Sequence, residues 1–178
     1  MPELIPILKK DDIDKIVAGV ARRISSDYQG RELVLIGVLK GAFIFLADLA
    51  RNLTIPVKID FVGTSSYGSG TSSSGNIYLT KKIEIDVKDK DVLIVEDLVD
   101  TGLTLTYLLD YIKSFGPKTV KICALIDKRE RRKIKINIDY ACHVVGKGFI
   151  VGYGIDYAED YRNLPEIFHL KLSSESTP

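Results

Sequence analysis

Apolar and polar positions change period several times along the chain, and each change marks an element. Ile13, Ile16, Val17, Val20, Ala21 and Ile24 recur at helical spacing, with Asp11 or Asp12 placed to cap the start. Gly30 closes the connection that follows. Leu33 to Val38 is short and continuously apolar, as a strand buried on both faces is. After Lys40-Gly41 the spacing predicts a helix with Phe43, Leu46, Ala47 and Ala50 on one face, and then a strand over Val57 to Val62. Residues 64–75 hold eight Ser or Thr and three Gly, too few apolar groups to pack. Ile77, Leu79, Ile83 and Ile85 then alternate with polar residues in a hairpin or extended arm. Val92 to Val95 is the sharpest buried strand, followed by an Asp/Gly/Thr turn and a helix through Leu108, Leu109 and Ile112 that ends at Gly116-Pro117. Val120 to Ile126, Phe149 to Val151 and Ile167 to Leu172 read as further strands. Strands alternating with helices imply right-handed crossovers, hence an α/β fold with a mainly parallel twisted sheet flanked by helices.

Composition narrows the class. A chain of 178 residues with 46% hydrophobic and 28% charged residues is long enough for one compact core without disulfides or structural metal. Twenty-five basic against 24 acidic residues leave a charge of +1, which argues against a partner bound by global charge, nucleic acid above all. The densest basic stretch, Lys128 to Lys135, reads first as a solvated loop after a strand. No apolar run approaches the ~18 residues of a membrane span, and the start of the chain lacks the pattern of a signal peptide. Cys123 and Cys142 sit in apolar segments without metal-ligand spacing and are expected to be reduced packing residues of a cytoplasmic protein.

In open parallel sheets, ligands bind at the carboxyl ends of strands, where helix N-termini point free N–H groups. The most unusual residues fall there: Val92 to Val95 runs into Glu96-Asp97, then Asp100-Thr101-Gly102-Leu103-Thr104. Glu96 and Asp97 suit vicinal hydroxyls or a hydrated cation such as Mg²⁺. Thr101 to Thr104 offer two hydroxyls, a glycine and backbone N–H groups, which suit a phosphate monoester. A capped helix with acidic residues facing water fits the same letters equally well. Neither G-x-x-x-x-G-K-[ST] nor G-x-G-x-x-G occurs.

The stretch from Val92 to Thr104 resembles the phosphoribosyl-pyrophosphate motif of type I phosphoribosyltransferases, and four further segments resemble the hypoxanthine-guanine branch. Leu39-Lys40-Gly41 is similar to the family's pyrophosphate loop, in which a cis peptide precedes the lysine. Ser65-Ser66-Tyr67-Gly68 is similar to its mobile lid, Asp127-Lys128-Arg129 to its purine-recognising strand end, and Phe149 to Tyr157 with Tyr161 to Pro165 to its base-stacking and metal-binding end. The resemblance implies one phosphoribosyltransferase domain over 1–178. It also implies a lid over about 64–80 and a small hood built from the N-terminal residues and about 145–178.

The implied reaction joins hypoxanthine, and guanine too, to the ribose phosphate of phosphoribosyl pyrophosphate with Mg²⁺. Asp100 becomes the acid/base, although an N-cap is its other natural role. Glu96, Asp97 and Asp100 to Thr104 would hold the phosphoribosyl group, and Lys40, Gly41, Ser66, Tyr67 and Arg162 the pyrophosphate. Lys128, Phe149 and Ile150 would hold the purine, and Asp156, with Glu96 and Asp97, the metal. Lysine carries donors only, so Lys128 suits a 6-oxo group and not adenine's amino group. Lys147-Gly148 departs from the family, where an acidic or polar residue and then a bulkier one are usual, and bears on the ranking of oxopurines. Relatives imply a homodimer or homotetramer. The rival readings are a regulator that senses phosphoribosyl pyrophosphate and binds nucleic acid through the 128–135 run, and a pyrimidine or xanthine phosphoribosyltransferase.

Overall fold

The computed structural model describes residues 2–66 and 76–172. In chain order the elements are β1 (Glu3–Leu8), α1 (Lys10–Asp27), β2 (Leu33–Leu39), α2 (Phe43–Asn52), β3 (Val57–Ser66), β4 (Ile77–Lys81), β5 (Asp91–Val99), α3 (Leu103–Lys113), β6 (Thr119–Lys128), β7 (Tyr140–Val145), β8 (Phe149–Val151) and β9 (Ile167–Lys171). They form a six-stranded sheet of order β4-β3-β2-β5-β6-β7 and a three-stranded sheet of order β1-β9-β8. In the larger sheet β3, β2, β5, β6 and β7 are parallel and β4 is antiparallel to β3. The smaller sheet is antiparallel throughout.

Strand periodicity divides the core in two. Leu33, Leu35, Leu93, Val95, Cys123 and Leu125 face α1 and α2, where Ile13, Val17, Ile24, Phe45, Leu46 and Leu49 meet them. Val34, Ile36, Val38, Val92, Ile94, Ile122 and Ala124 face α3 through Leu105, Leu108 and Ile112. Burial on both faces explains why these strands read as unbroken apolar runs, each large side chain contributing about 1.5–3 kcal/mol.

Several boundaries differ from the sequence reading. Lys9, not Asp11 or Asp12, is the N-cap of α1, and the Asp12 carboxylate accepts from the Lys9 N–H at 3.3 Å. On α2 the buried face is Phe45, Leu46 and Leu49, while Phe43 and Ala47 are exposed. Strand β5 continues past Val95 through Glu96 and Asp97 to Val99, held by β6 as far as Val99 opposite Asp127. Edge strands β1 and β7 appear where no element was expected. Strand β1 tolerates Pro6 because it pairs only with β9 and its register shifts between Pro6 and Leu8. Cys123 is buried, Cys142 half-buried, and both are free thiols.

Candidate active site

The carboxyl ends of β2 and β5 and the start of α3 enclose a cavity of about 250 Å³ whose lining includes Gly41, Glu96, Asp97, Asp100, Thr101, Gly102 and Thr104. The parallel order brings these ends together, because the central strands β2 and β5 both finish at this edge. Gly102, at φ 86°, is the N-cap of α3, so Asp100 does not cap the helix. The Leu103 N–H donates to Thr101 Oγ1 at 3.3 Å, and the Thr106 hydroxyl donates to the Gly102 carbonyl. The first-turn N–H groups of α3 have no partner four residues back and point out of the helix end.

Glu96 is buried and Asp97 half-buried. Burial, reinforced by the neighbouring Asp97 carboxylate, pushes Glu96 well above the usual carboxylate range, and burial raises Asp97 as well. A cation or a pair of hydroxyl donors relieves such a pair.

Asp100 is placed differently. Its Oδ1 is buried without a hydrogen-bond partner. Its Oδ2 lies 3.7 Å from an Arg131 nitrogen and 4.0 Å from Lys128 Nζ. Lys128, at the end of β6, is 7% exposed, far below the usual exposure of lysine, so its ammonium is buried beside Asp100.

The basic stretch is only partly a solvated loop. Arg132 turns inward: its Nε donates to the Asp100 carbonyl at 2.8 Å, and its terminal nitrogen reaches the carbonyls of Val99 and Lys128 and Asp127 Oδ1 at 2.5 Å. The N–H groups of Lys133 and Ile134 both donate to the Thr101 carbonyl. Arg132 therefore clamps the loop that carries Asp100 against the end of β6. Sequence reasoning missed it, although a buried Asp127 at an apolar strand end is a signal that some cation must turn inward.

On the opposite wall the Leu39–Lys40 peptide is cis. Lys40 Nζ lies 2.8 Å from Glu159 Oε2, and that bond holds the Glu159 carboxyl below its usual range. Arg162 donates to the Gly154 carbonyl at 2.9 Å and pairs with Asp156 at 2.9 Å and Glu159 at 3.4 Å, while its Nε is buried without a partner. Lys40, Asp156 and Arg162 thus belong to one charged cluster. Phe149, half-exposed, meets Tyr157 edge to face at 5.6 Å, and Ile150 is buried opposite His169. Ser66 ends β3 and is exposed. Tyr67 and the rest of the expected lid from 67 to 75 lie outside the described residues, as do 173–178.

A parallel sheet that gathers an acidic strand end, a Thr-Gly-Leu-Thr helix start and a cis-peptide lysine loop around one cavity defines a type I phosphoribosyltransferase. Residues 7–158 match the phosphoribosyl transferase domain family. The chain is 45% identical over 163 residues to the hypoxanthine-guanine phosphoribosyltransferase of Aquifex aeolicus, covering 91% of this chain and 92% of that protein. Its identity to the Streptococcus pyogenes hypoxanthine-guanine phosphoribosyltransferase is 43% over 165 residues, covering 93% and 92%. The crystal structure of a hypoxanthine-guanine phosphoribosyltransferase from Bacillus anthracis superposes with a TM-score of 0.90 at 40% identity, covering 97% of this chain and all of that one. The chain belongs to the hypoxanthine-guanine phosphoribosyltransferase family.

Proposed function

We propose that the chain carries out purine salvage. It transfers the 5-phosphoribosyl group of phosphoribosyl pyrophosphate to hypoxanthine or guanine, forming IMP or GMP and releasing pyrophosphate. The observation that carries the residue-level reading is the Asp100 carboxylate, whose Oδ2 lies 4.0 Å from the ammonium of Lys128 and whose Oδ1 is buried without a partner. A carboxylate left short of donors costs about 1–3 kcal/mol, and an imidazole N–H of the purine donating to it supplies one. Asp100 then takes that proton as the ring nitrogen bonds to the anomeric carbon and pyrophosphate leaves.

Lys128 donates to the 6-oxo group, Phe149 stacks on the ring, and the backbone at Ile150 reads the remaining edge. Residues Thr101 to Thr104 cradle the 5-phosphate at the start of α3, and Glu96 and Asp97 accept from the ribose hydroxyls. Lys40, Gly41 and Arg162 receive the pyrophosphate, with Ser66 and Tyr67 closing over it from the lid. The small sheet β1-β9-β8 serves as the hood.

The donor set fits Mg²⁺. The described residues hold no cluster of three or more potential metal-ligating side chains, whereas this ion is usually held by one or two carboxylates with water and substrate oxygens completing its shell. Two separate places would serve: Asp156 on the pyrophosphate side, and Glu96 with Asp97 through metal-bound water at the ribose hydroxyls. When bound it would neutralise charge on the leaving pyrophosphate. The remaining stabilisation falls to Lys40 and Arg162, whose cations already sit in one cluster.

The protein is further proposed to work in the cytoplasm as a homodimer or homotetramer. Phe43, three residues after Lys40 at the start of α2, is a large apolar side chain 44% exposed, which supports a subunit contact near the Lys40 loop. No described helix is long and apolar enough to cross a membrane.

The test is a product balance. Incubated with phosphoribosyl pyrophosphate, hypoxanthine and Mg²⁺, the protein is expected to form IMP and pyrophosphate in equal amounts, and a chelator should stop both. A folded protein that binds phosphoribosyl pyrophosphate but forms no IMP overturns the enzyme reading.

A further inference from the structure

The two walls of the proposed purine slot come from different sheets. Lys128 ends β6 in the six-stranded sheet, and Phe149 opens β8 in the three-stranded one. No strand pairing joins these sheets among the described residues. One carboxylate spans the gap. Glu130 Oε2 lies 3.9 Å from Lys128 Nζ and accepts the backbone N–H of Gly148 at 3.3 Å.

Gly148 is able to present that N–H because it lacks a side chain. Its φ is +96°, and a Cβ there would come within 2.9 Å of His169 Nδ1 and 3.2 Å of Cε1 on the neighbouring strand β9. A larger residue would be strained at that φ and would have to displace the His169 ring, which disturbs the N–H. Phe149 follows directly. It is 47% exposed, meets Tyr157 edge to face and pairs with Leu170 of β9, and its approach to the slot is set by the adjoining N–H that Glu130 holds.

Glu130 also balances Lys128. The ammonium stands 4.0 Å from Asp100 Oδ2 and 3.9 Å from Glu130 Oε2, beyond hydrogen-bond length on either side. Two nearly equidistant carboxylates keep its donors available for an incoming oxygen. Without the charge of Glu130, the ammonium is drawn toward Asp100, the proposed acid/base.

We propose that Glu130 is a positioning residue for the purine, setting the width of the slot through Gly148 and the direction of the Lys128 ammonium. The proposal rests on the purine reading of Lys128 and Phe149. It gives Gly148 a function as the point at which the base-stacking wall is anchored.

The experiment is steady-state kinetics on the intact protein and the variants Glu130→Ala, Glu130→Gln and Lys128→Ala, varying hypoxanthine and phosphoribosyl pyrophosphate separately. Glu130→Ala is expected to raise KM for hypoxanthine roughly tenfold and to leave KM for phosphoribosyl pyrophosphate within about twofold. Glu130→Gln keeps an acceptor for the Gly148 N–H but not the charge, and should recover part of the loss, to roughly threefold. A purely structural role would move both KM values together, and Glu130→Gln would not restore the one for hypoxanthine selectively. Either that pattern or wild-type KM values in both Glu130 variants overturns the proposal. Lys128→Ala separates the two claims. If it alone raises KM for hypoxanthine, the Glu130 link fails and the purine reading survives. If no variant moves it, both fail.

Discussion

Gly41 and Asp97 touch in a way that leaves no room for a side chain: a Cβ on Gly41 would stand 1.8 Å from Asp97 Oδ2 and 2.5 Å from its Cγ. The Gly41 carbonyl is closed in from the other side, since a Cβ on Gly154 would lie 2.2 Å from it. The lysine loop, the acidic end of β5 and the segment leading to Asp156 therefore pack together at Gly41, against the Asp97 carboxylate on one side and the Gly154 backbone on the other. The two glycines fix the relative positions of three groups proposed to hold one substrate.

Gly41→Ala should displace the Asp97 carboxylate by more than 1 Å and lower kcat/KM by about 10²-fold or more. Its cost in stability is expected to be the 1–3 kcal/mol of ordinary overpacking. Kinetics beside chemical denaturation separates the two, and an alanine variant with wild-type kinetics would refute the role of this packing.

Asp100→Asn keeps the shape of the side chain and removes its capacity to accept a proton. The variant should lose roughly 10²–10⁴-fold in kcat while KM for phosphoribosyl pyrophosphate stays near the wild-type value. Equal losses in binding of both substrates would instead point to collapse of the loop.

Much of the fold was legible because burial on both faces writes unbroken apolar runs into β2, β5 and β6. Edge strands carry no such mark. Pro6 in β1 and His143 in β7 face conditions that a central strand would not tolerate, so neither segment reads as a strand alone. On α2, Phe43 and Phe45 are both plausible core residues by letter, and only packing against β2 selects Phe45. Within the site, motif residues at the end of β5 were legible because they are contiguous. The Arg132 clamp was not, since its partners at Val99, Asp100 and Asp127 are chosen by the meeting of β5 and β6.

Arg132→Met tests that clamp. Asp127 is 3% exposed and would keep only the more exposed Arg129, so unfolding stability should fall by about 3 kcal/mol. Activity should fall as well, because the Asp100 carbonyl loses its anchor. Urea denaturation showing an unchanged midpoint would contradict the assignment.

Asp60 contributes to stability on the acid side. Burial alone would raise its carboxyl, but N–H donation from Ile85, Glu84 and Phe61 outweighs that, aided by Lys81, and the net shift is downward from 3.8. The folded state therefore binds this proton less readily than the unfolded chain. The resulting stabilisation is present above pH 3.8 and lost as pH falls through the lower folded value. Asp60→Asn should flatten the Tm decline below pH 3.8 and lower Tm at neutral pH. A neutral-pH Tm equal to wild type would show that these bonds, which tie residues 84 and 85 to β3, contribute nothing.

The most direct measurement sets hypoxanthine, guanine, xanthine and adenine in competition for phosphoribosyl pyrophosphate with Mg²⁺ present, and separates the products by chromatography. A donor-only residue such as Lys128 at the 6-position should give IMP and GMP and, for adenine, turnover lower by about 10²-fold or more. AMP formed as readily as IMP would contradict the account at its centre.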